Sequence, residues 1–138
     1  MNDPKTRQSL ENLANALRRL SEALQEPVEN SLIVDGTIQR FEFVIELFWK
    51  TFMRLLVYEG IQVTTPREAL SSAFQSRWID DEAAWLQMLE DRNQTSHLYD
   101  EAAARRIYGH IKDYFPELAR THRFLAEQYL TSSESEKS

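Results

Sequence analysis

The chain has 138 residues, which fits one domain and suffices to bury a single core without staples. It contains no cysteine, which excludes disulfides and thiolate metal sites. With 22 Asp and Glu against 16 Lys and Arg, the formal net charge is -6. That argues against nucleic-acid binding by broad charge attraction, so any such role must use a local basic patch.

Three Gly and four Pro leave few places to turn and favour long helices over many short strands. The N-terminal run Met1-Asn2-Asp3-Pro4-Lys5 has no apolar stretch of the signal-peptide kind. No apolar run is long enough to cross a bilayer. A cytoplasmic protein is the expectation.

Asp3 and Pro4 make a helix start, a capping acceptor followed by proline at the first helical position. Leu10, Leu13, Leu17, Leu20 and Leu24 then draw one apolar stripe that ends at Pro27. We read it as bundle core rather than a zipper with another chain. A second and longest helix is expected over residues 30–59, closed by Gly60. Phe41, Val44, Ile45, Phe48, Trp49, Phe52, Leu55 and Leu56 give it a wide apolar face. Phe43 and Leu47 fall on the other side, beside Arg40, Lys50 and Arg54. Either a partner or a third helix covers them.

Thr65, Pro66 and Glu68 spell a capping box that opens a short third helix, with Leu70, Ala73 and Phe74 expected inside. Trp78 and Ile79 plug the core end. Asp80 or Asp81 caps a fourth helix with a stripe of Ala84, Trp85, Met88 and Leu89, which ends near Asn93, Thr95 and Ser96. Asp100 caps a fifth helix, carried by Ile107, Tyr108, Ile111 and Phe115, which Pro116 kinks or splits. Leu118, His122, Leu125 and Tyr129 continue its stripe. The expected architecture is an all-α, antiparallel up-and-down four-helix bundle with an extra short helix. It spans residues 1–130, with a disordered tail over residues 131–138.

The chemistry concentrates between the fourth and fifth helices. Arg92, His97 and Tyr99 stand close together, spaced Arg, four residues, His, one residue, Tyr. Arginine presents a fixed fork of donors to phosphate, and histidine exchanges protons near neutral pH. On an unbroken helix Arg92 and His97 would lie about 140° apart, so they meet only if the helix ends between them. Arg105, Arg106, His110 and Lys112 follow and add cations. The competing reading is an ordinary polar corner, with Asn and Ser as caps and Arg92 as a C-terminal cation. His97, His110 and His122 have no zinc spacing, so no metal site is expected. Neither a Gly-rich phosphate loop nor a Gly-x-Ser-x-Gly elbow is present.

The run from Leu89 through Asp91, Arg92, Asn93, His97 and Tyr99 to Asp100 resembles the signature of the nucleotidyltransferase substrate-binding proteins. These belong to the HEPN superfamily (higher eukaryote and prokaryote nucleotide-binding). Ile38-Gln39-Arg40-Phe41-Glu42-Phe43, Trp49-Lys50, Thr65-Pro66-Arg67-Glu68, and Asp80-Asp81 with Trp85 agree with it. The resemblance implies an all-α bundle that forms a homodimer, paired with a minimal nucleotidyltransferase as toxin and antitoxin. It further implies a metal-independent endoribonuclease, with Arg92 and His97 catalytic and Asn93 supporting. The partner would silence it by attaching AMP to Tyr99, and no cofactor is called for. The alternative is a non-catalytic substrate-binding subunit of the nucleotidyltransferase.

Overall fold

The computed structural model describes residues 3–29, 31–95 and 100–131. The described residues form five α-helices and a terminal π-helical turn. These are α1 (Pro4–Gln25), α2 (Ser31–Tyr58), α3 (Pro66–Gln75), α4 (Glu82–Gln94), α5 (Glu101–Ala126) and the turn Glu127–Thr131. None of these helices is long and apolar enough to cross a membrane. Most of the expected tail lies outside the described residues.

The helix ends follow local chemistry. Asp3 accepts the Thr6 amide at 2.9 Å with Pro4 in the first turn. Thr65 and Glu68 complete a capping box. Asp81 and Asp100 accept the Ala84 and Ala103 amides at 3.0 and 2.7 Å. Each satisfies a donor that a helix start leaves unpaired. α2 closes on Gly60 at φ 75°, with the Gly60 amide donating to Val57 and the Ile61 amide to Leu56. That is the Schellman pattern that favours glycine. α3 closes the same way, with Arg77 at φ 66° in the glycine position.

α2 contacts each of the other four helices. Its direction against α1 is fixed by two long-range pairs. Tyr58 bonds to Asp3, and the Arg40 guanidinium donates to the Arg19 carbonyl at 2.6 Å. The start of α1 therefore lies beside the end of α2, as a short antiparallel link requires. α4 and α5 are antiparallel by the same logic. Asp91 meets His110 and Tyr114, Trp85 meets Glu117, and Asp80 meets Arg120. Phe41 stacks on Tyr114 and joins α2 to α5.

The core holds the expected leucines of α1 and an aromatic cluster of Phe48, Phe52, Trp78 and Trp85, with centroids 5.0 to 5.9 Å apart. Burying each such ring stabilises the fold by roughly 1.5–3 kcal/mol. Trp49 is only half-buried. Phe74 is 39% exposed rather than buried, because it lies at the rim of α3 in the turn where the chain reverses. Pro116 does not split the fifth helix, which runs unbroken through it. Pro116 and Lys112 are both exposed, so water can satisfy the carbonyl that loses its donor.

Two partly buried polar groups tie the far end of the molecule together. Burial opposes the charge of Glu117. Bonds from the Arg120 guanidinium, the Trp85 indole and the Thr121 hydroxyl outweigh it and hold the carboxyl below its usual range. His122 of α5 bonds to the Leu10 carbonyl of α1 at 3.1 Å, and burial pushes its imidazole below the ordinary histidine value. The folded state therefore binds its proton less readily than the unfolded chain. Stability should fall as pH drops below about 6.5, where the unfolded histidine begins to protonate. Urea melts of the wild type and His122→Gln across pH 5–8 check this. The loss on the acid side should be smaller in the variant.

Candidate functional site

Asp91 is buried near the end of α4. A buried carboxyl group needs partners, and Asp91 has three. Its Oδ2 accepts from Tyr114 Oη at 2.5 Å and lies 2.9 Å from His110 Nδ1. Its Oδ1 accepts from Gln87 Nε2 at 3.0 Å. The Nδ1–H tautomer of His110 suits this arrangement and leaves Nε2 free of the bond. The His110 side chain is 42% exposed. Burial, with the bond to Asp91, pushes the Tyr114 hydroxyl far above its ordinary range, so it remains a donor. The sequence reading missed this cluster. The available signal was His110 and Tyr114 one helical turn apart, facing a buried-periodicity position on α4.

Arg92 follows directly and points elsewhere. The Thr95 hydroxyl donates to its carbonyl at 2.6 Å and closes the helix. Arg92 borders a cleft of about 650 Å³ between α1 and α2, with Arg19, Gly36, Arg40, Phe43 and Glu46. Its Nε is buried and has no hydrogen-bond partner among the described residues. Three arginines face two glutamates there, Glu42 and Glu46, in a chain of net charge -6. This is a local basic patch in an acidic chain.

The cations that join Arg92 are thus Arg19 and Arg40, not the expected Arg105 and Arg106. Arg105 is tied to Glu101 on its own helix at 2.9 Å, and neither it nor Arg106 borders the cleft. Phe43 is 53% exposed and forms part of the cleft, whereas Leu47 packs partly against the core. Asn93 borders a different, smaller cleft with Thr65, Pro66 and Arg67, so its side chain and that of Arg92 face two sides of α4.

His97 and Tyr99 lie outside the described residues. The described residues that flank them, Thr95 and Asp100, both border a third cleft with Ser31, Asp35, Glu42 and Glu101. That cleft is acidic and shares Glu42 with the arginine cleft. Thr95 and Asp100 therefore stand beside the boundary between a basic and an acidic surface.

Asp91→Ala should destabilise the protein by about 3 kcal/mol, since it strands the Tyr114 hydroxyl and removes the link between α4 and α5. Tyr114→Phe should cost less, about 1.5 kcal/mol. Denaturant unfolding of both variants checks the order.

The chain is similar to known proteins over most of its length. Residues 8–127 match the family described as nucleotidyltransferase substrate binding protein like. A Haemophilus influenzae protein named probable ribonuclease HepT is 32% identical over 110 residues, covering 76% of this chain and 73% of its own. A crystal structure from Thermus thermophilus superposes with a TM-score of 0.71 at 28% identity, covering 84% of this chain and 97% of that one. A Haemophilus influenzae structure, described as revealing the fold of a substrate binding domain of a nucleotidyltransferase, gives 0.74 at 27% identity, over 84% and 98%. The chain belongs to the nucleotidyltransferase substrate-binding protein family.

Proposed function

We propose that this protein is the toxin of a toxin–antitoxin pair, a metal-independent endoribonuclease silenced when a partner nucleotidyltransferase transfers AMP to Tyr99. The observation that carries the reading is Arg92, which borders an arginine-lined cleft at the end of α4 and whose buried Nε has no partner among the described residues. The relative named probable ribonuclease HepT supports it.

RNA cleavage of this kind needs a base for the ribose 2'-hydroxyl, an acid for the leaving 5'-oxygen and positive charge at the pentacoordinate phosphorus. His97 takes the proton-transfer role, with an unperturbed pKa near ~6.5. Arg92 stabilises the charge that develops on the phosphoryl oxygens, a term that is often the larger one. One motif histidine per chain supplies an acid or a base but not both. A symmetric homodimer that faces two motifs across one cleft supplies the pair. Asn93, about 100° around α4 from Arg92, supports by orienting His97 or the phosphate. The acidic surface beyond Glu42 restricts RNA to the arginine side.

AMP on Tyr99 would place a bulky group and a phosphate two residues from His97. The phosphate would engage the arginines that RNA needs through charge-assisted bonds. A second reading, a non-catalytic subunit that presents substrate to the nucleotidyltransferase, is favoured by the description of the structural relative as a substrate binding domain.

Purified protein should cleave RNA in excess chelator. His97→Ala and Arg92→Ala should each lower the rate by ~10²- to 10⁴-fold while remaining folded by circular dichroism. RNA left intact by the unmodified wild type favours the second reading. After incubation with the partner, ATP and magnesium, peptide mapping should find AMP on Tyr99. Tyr99→Phe should escape both modification and silencing, and nucleotide at another residue contradicts the proposed switch.

A further inference from the structure

We infer that the cleft between α1 and α2 is a subsite for one unpaired RNA nucleotide, its phosphate held by Arg19 and its base stacked on Phe43, next to the reacting phosphate that Arg92 engages. This rests on the ribonuclease reading and extends it from the reacting phosphate to the neighbouring nucleotide. The cleft volume of about 650 Å³ lies within the ~300–1,000 Å³ usual for small-ligand sites. Its donors are of the kind that recognises phosphate. Among the described residues, Arg19 makes no ion pair with the two glutamates of the cleft, and Arg40 is held at its wall by the bond to the Arg19 carbonyl. Glu46 is engaged by Lys50 at 2.9 Å, which leaves it less able to neutralise the arginines. Phe43 is more than half exposed and lies on the same surface as the arginines. Aromatic faces beside a cationic groove are how single strands are held, because every base has a face to stack.

Gly36 adds an independent observation. It lies inside α2, where glycine is less favourable than alanine by roughly 1 kcal/mol. No packing demands it, since a Cβ there would meet nothing within 4 Å. It borders this cleft and a neighbouring one with Glu22, Leu32 and Arg40, and a side chain at this position would enter open space. The absence of a side chain keeps that space free for a ligand.

The test uses full-length protein carrying His97→Ala, so that RNA survives, and a short fluorescent single-stranded RNA read by anisotropy across a salt series. Added Arg19→Gln should weaken binding and lower the slope of log affinity against log salt by about 0.7, the contribution of one phosphate contact. Phe43→Ala should weaken binding roughly 5- to 150-fold, and Phe43→Trp should restore it. Gly36→Leu should fold at least as stably as its parent yet bind more weakly. Arg18→Gln, a charge deletion one residue away in a pair with Glu22 outside the cleft, should leave binding unchanged. Unchanged affinity in Arg19→Gln and Phe43→Ala overturns the subsite. So does a parent that binds no RNA, or a Phe43→Ala protein whose only change by light scattering is its oligomeric state. Cleavage by the His97 wild type is measured separately, so a failed subsite leaves the ribonuclease standing, and intact RNA there removes catalysis without touching the binding result.

Discussion

The buried Asp91 carboxyl group is the constraint on which the site depends. A polar group without partners in the interior is expensive, so its three hydrogen bonds fix where α4 lies against α5. Arg92 is the next residue, and its direction follows from that placement. One step of about 100° separates an inward residue that joins two helices from an outward one that faces α1 and α2. The same helix end thus supplies an anchor and a functional cation from adjacent positions. The anchor fixes the stretch of α4 from which Arg92 reaches the cleft.

Much of this fold was legible because its signals are local. Caps at Asp3, Thr65, Asp81 and Asp100 act over three residues, and the leucine stripe of α1 repeats every three or four. The family resemblance on residues 89–100 agrees with the match over residues 8–127. What escaped the sequence reading was set by distance along the chain. Asp91 meets His110 and Tyr114 across 19 and 23 residues, and Arg19 and Arg40 reach the Arg92 cleft from other helices. Periodicity places a residue on a face but does not say which face of another helix it meets. Arg105 looked like a site cation from its proximity in sequence, yet the Glu101 carboxylate one turn earlier engages it. Pro116 carries a helix-breaking signal, but exposed backbone there lets water replace the missing donor.

Charge organisation connects the fold to the proposed activity. An acidic protein attracts RNA best where cations cluster, and among the described residues the Arg92 cleft, bounded by an acidic one, is such a place. Such a surface would bind weakly and choose its substrate by position rather than by overall attraction. It would also be easy to silence, since a phosphate fixed near Arg92 competes for the donors that RNA would use.

The central claim is that the chain uses Arg92 and His97 to drive attack by a ribose 2'-hydroxyl. The most direct measurement is cleavage of an RNA oligonucleotide that carries a single 2'-deoxy substitution at the mapped cut position, with the product ends identified by mass spectrometry. The account predicts that the substituted position resists cleavage, and that the unsubstituted RNA yields a 2',3'-cyclic phosphate and a 5'-hydroxyl. Equal cleavage of both substrates, with 5'-phosphate ends, would contradict it.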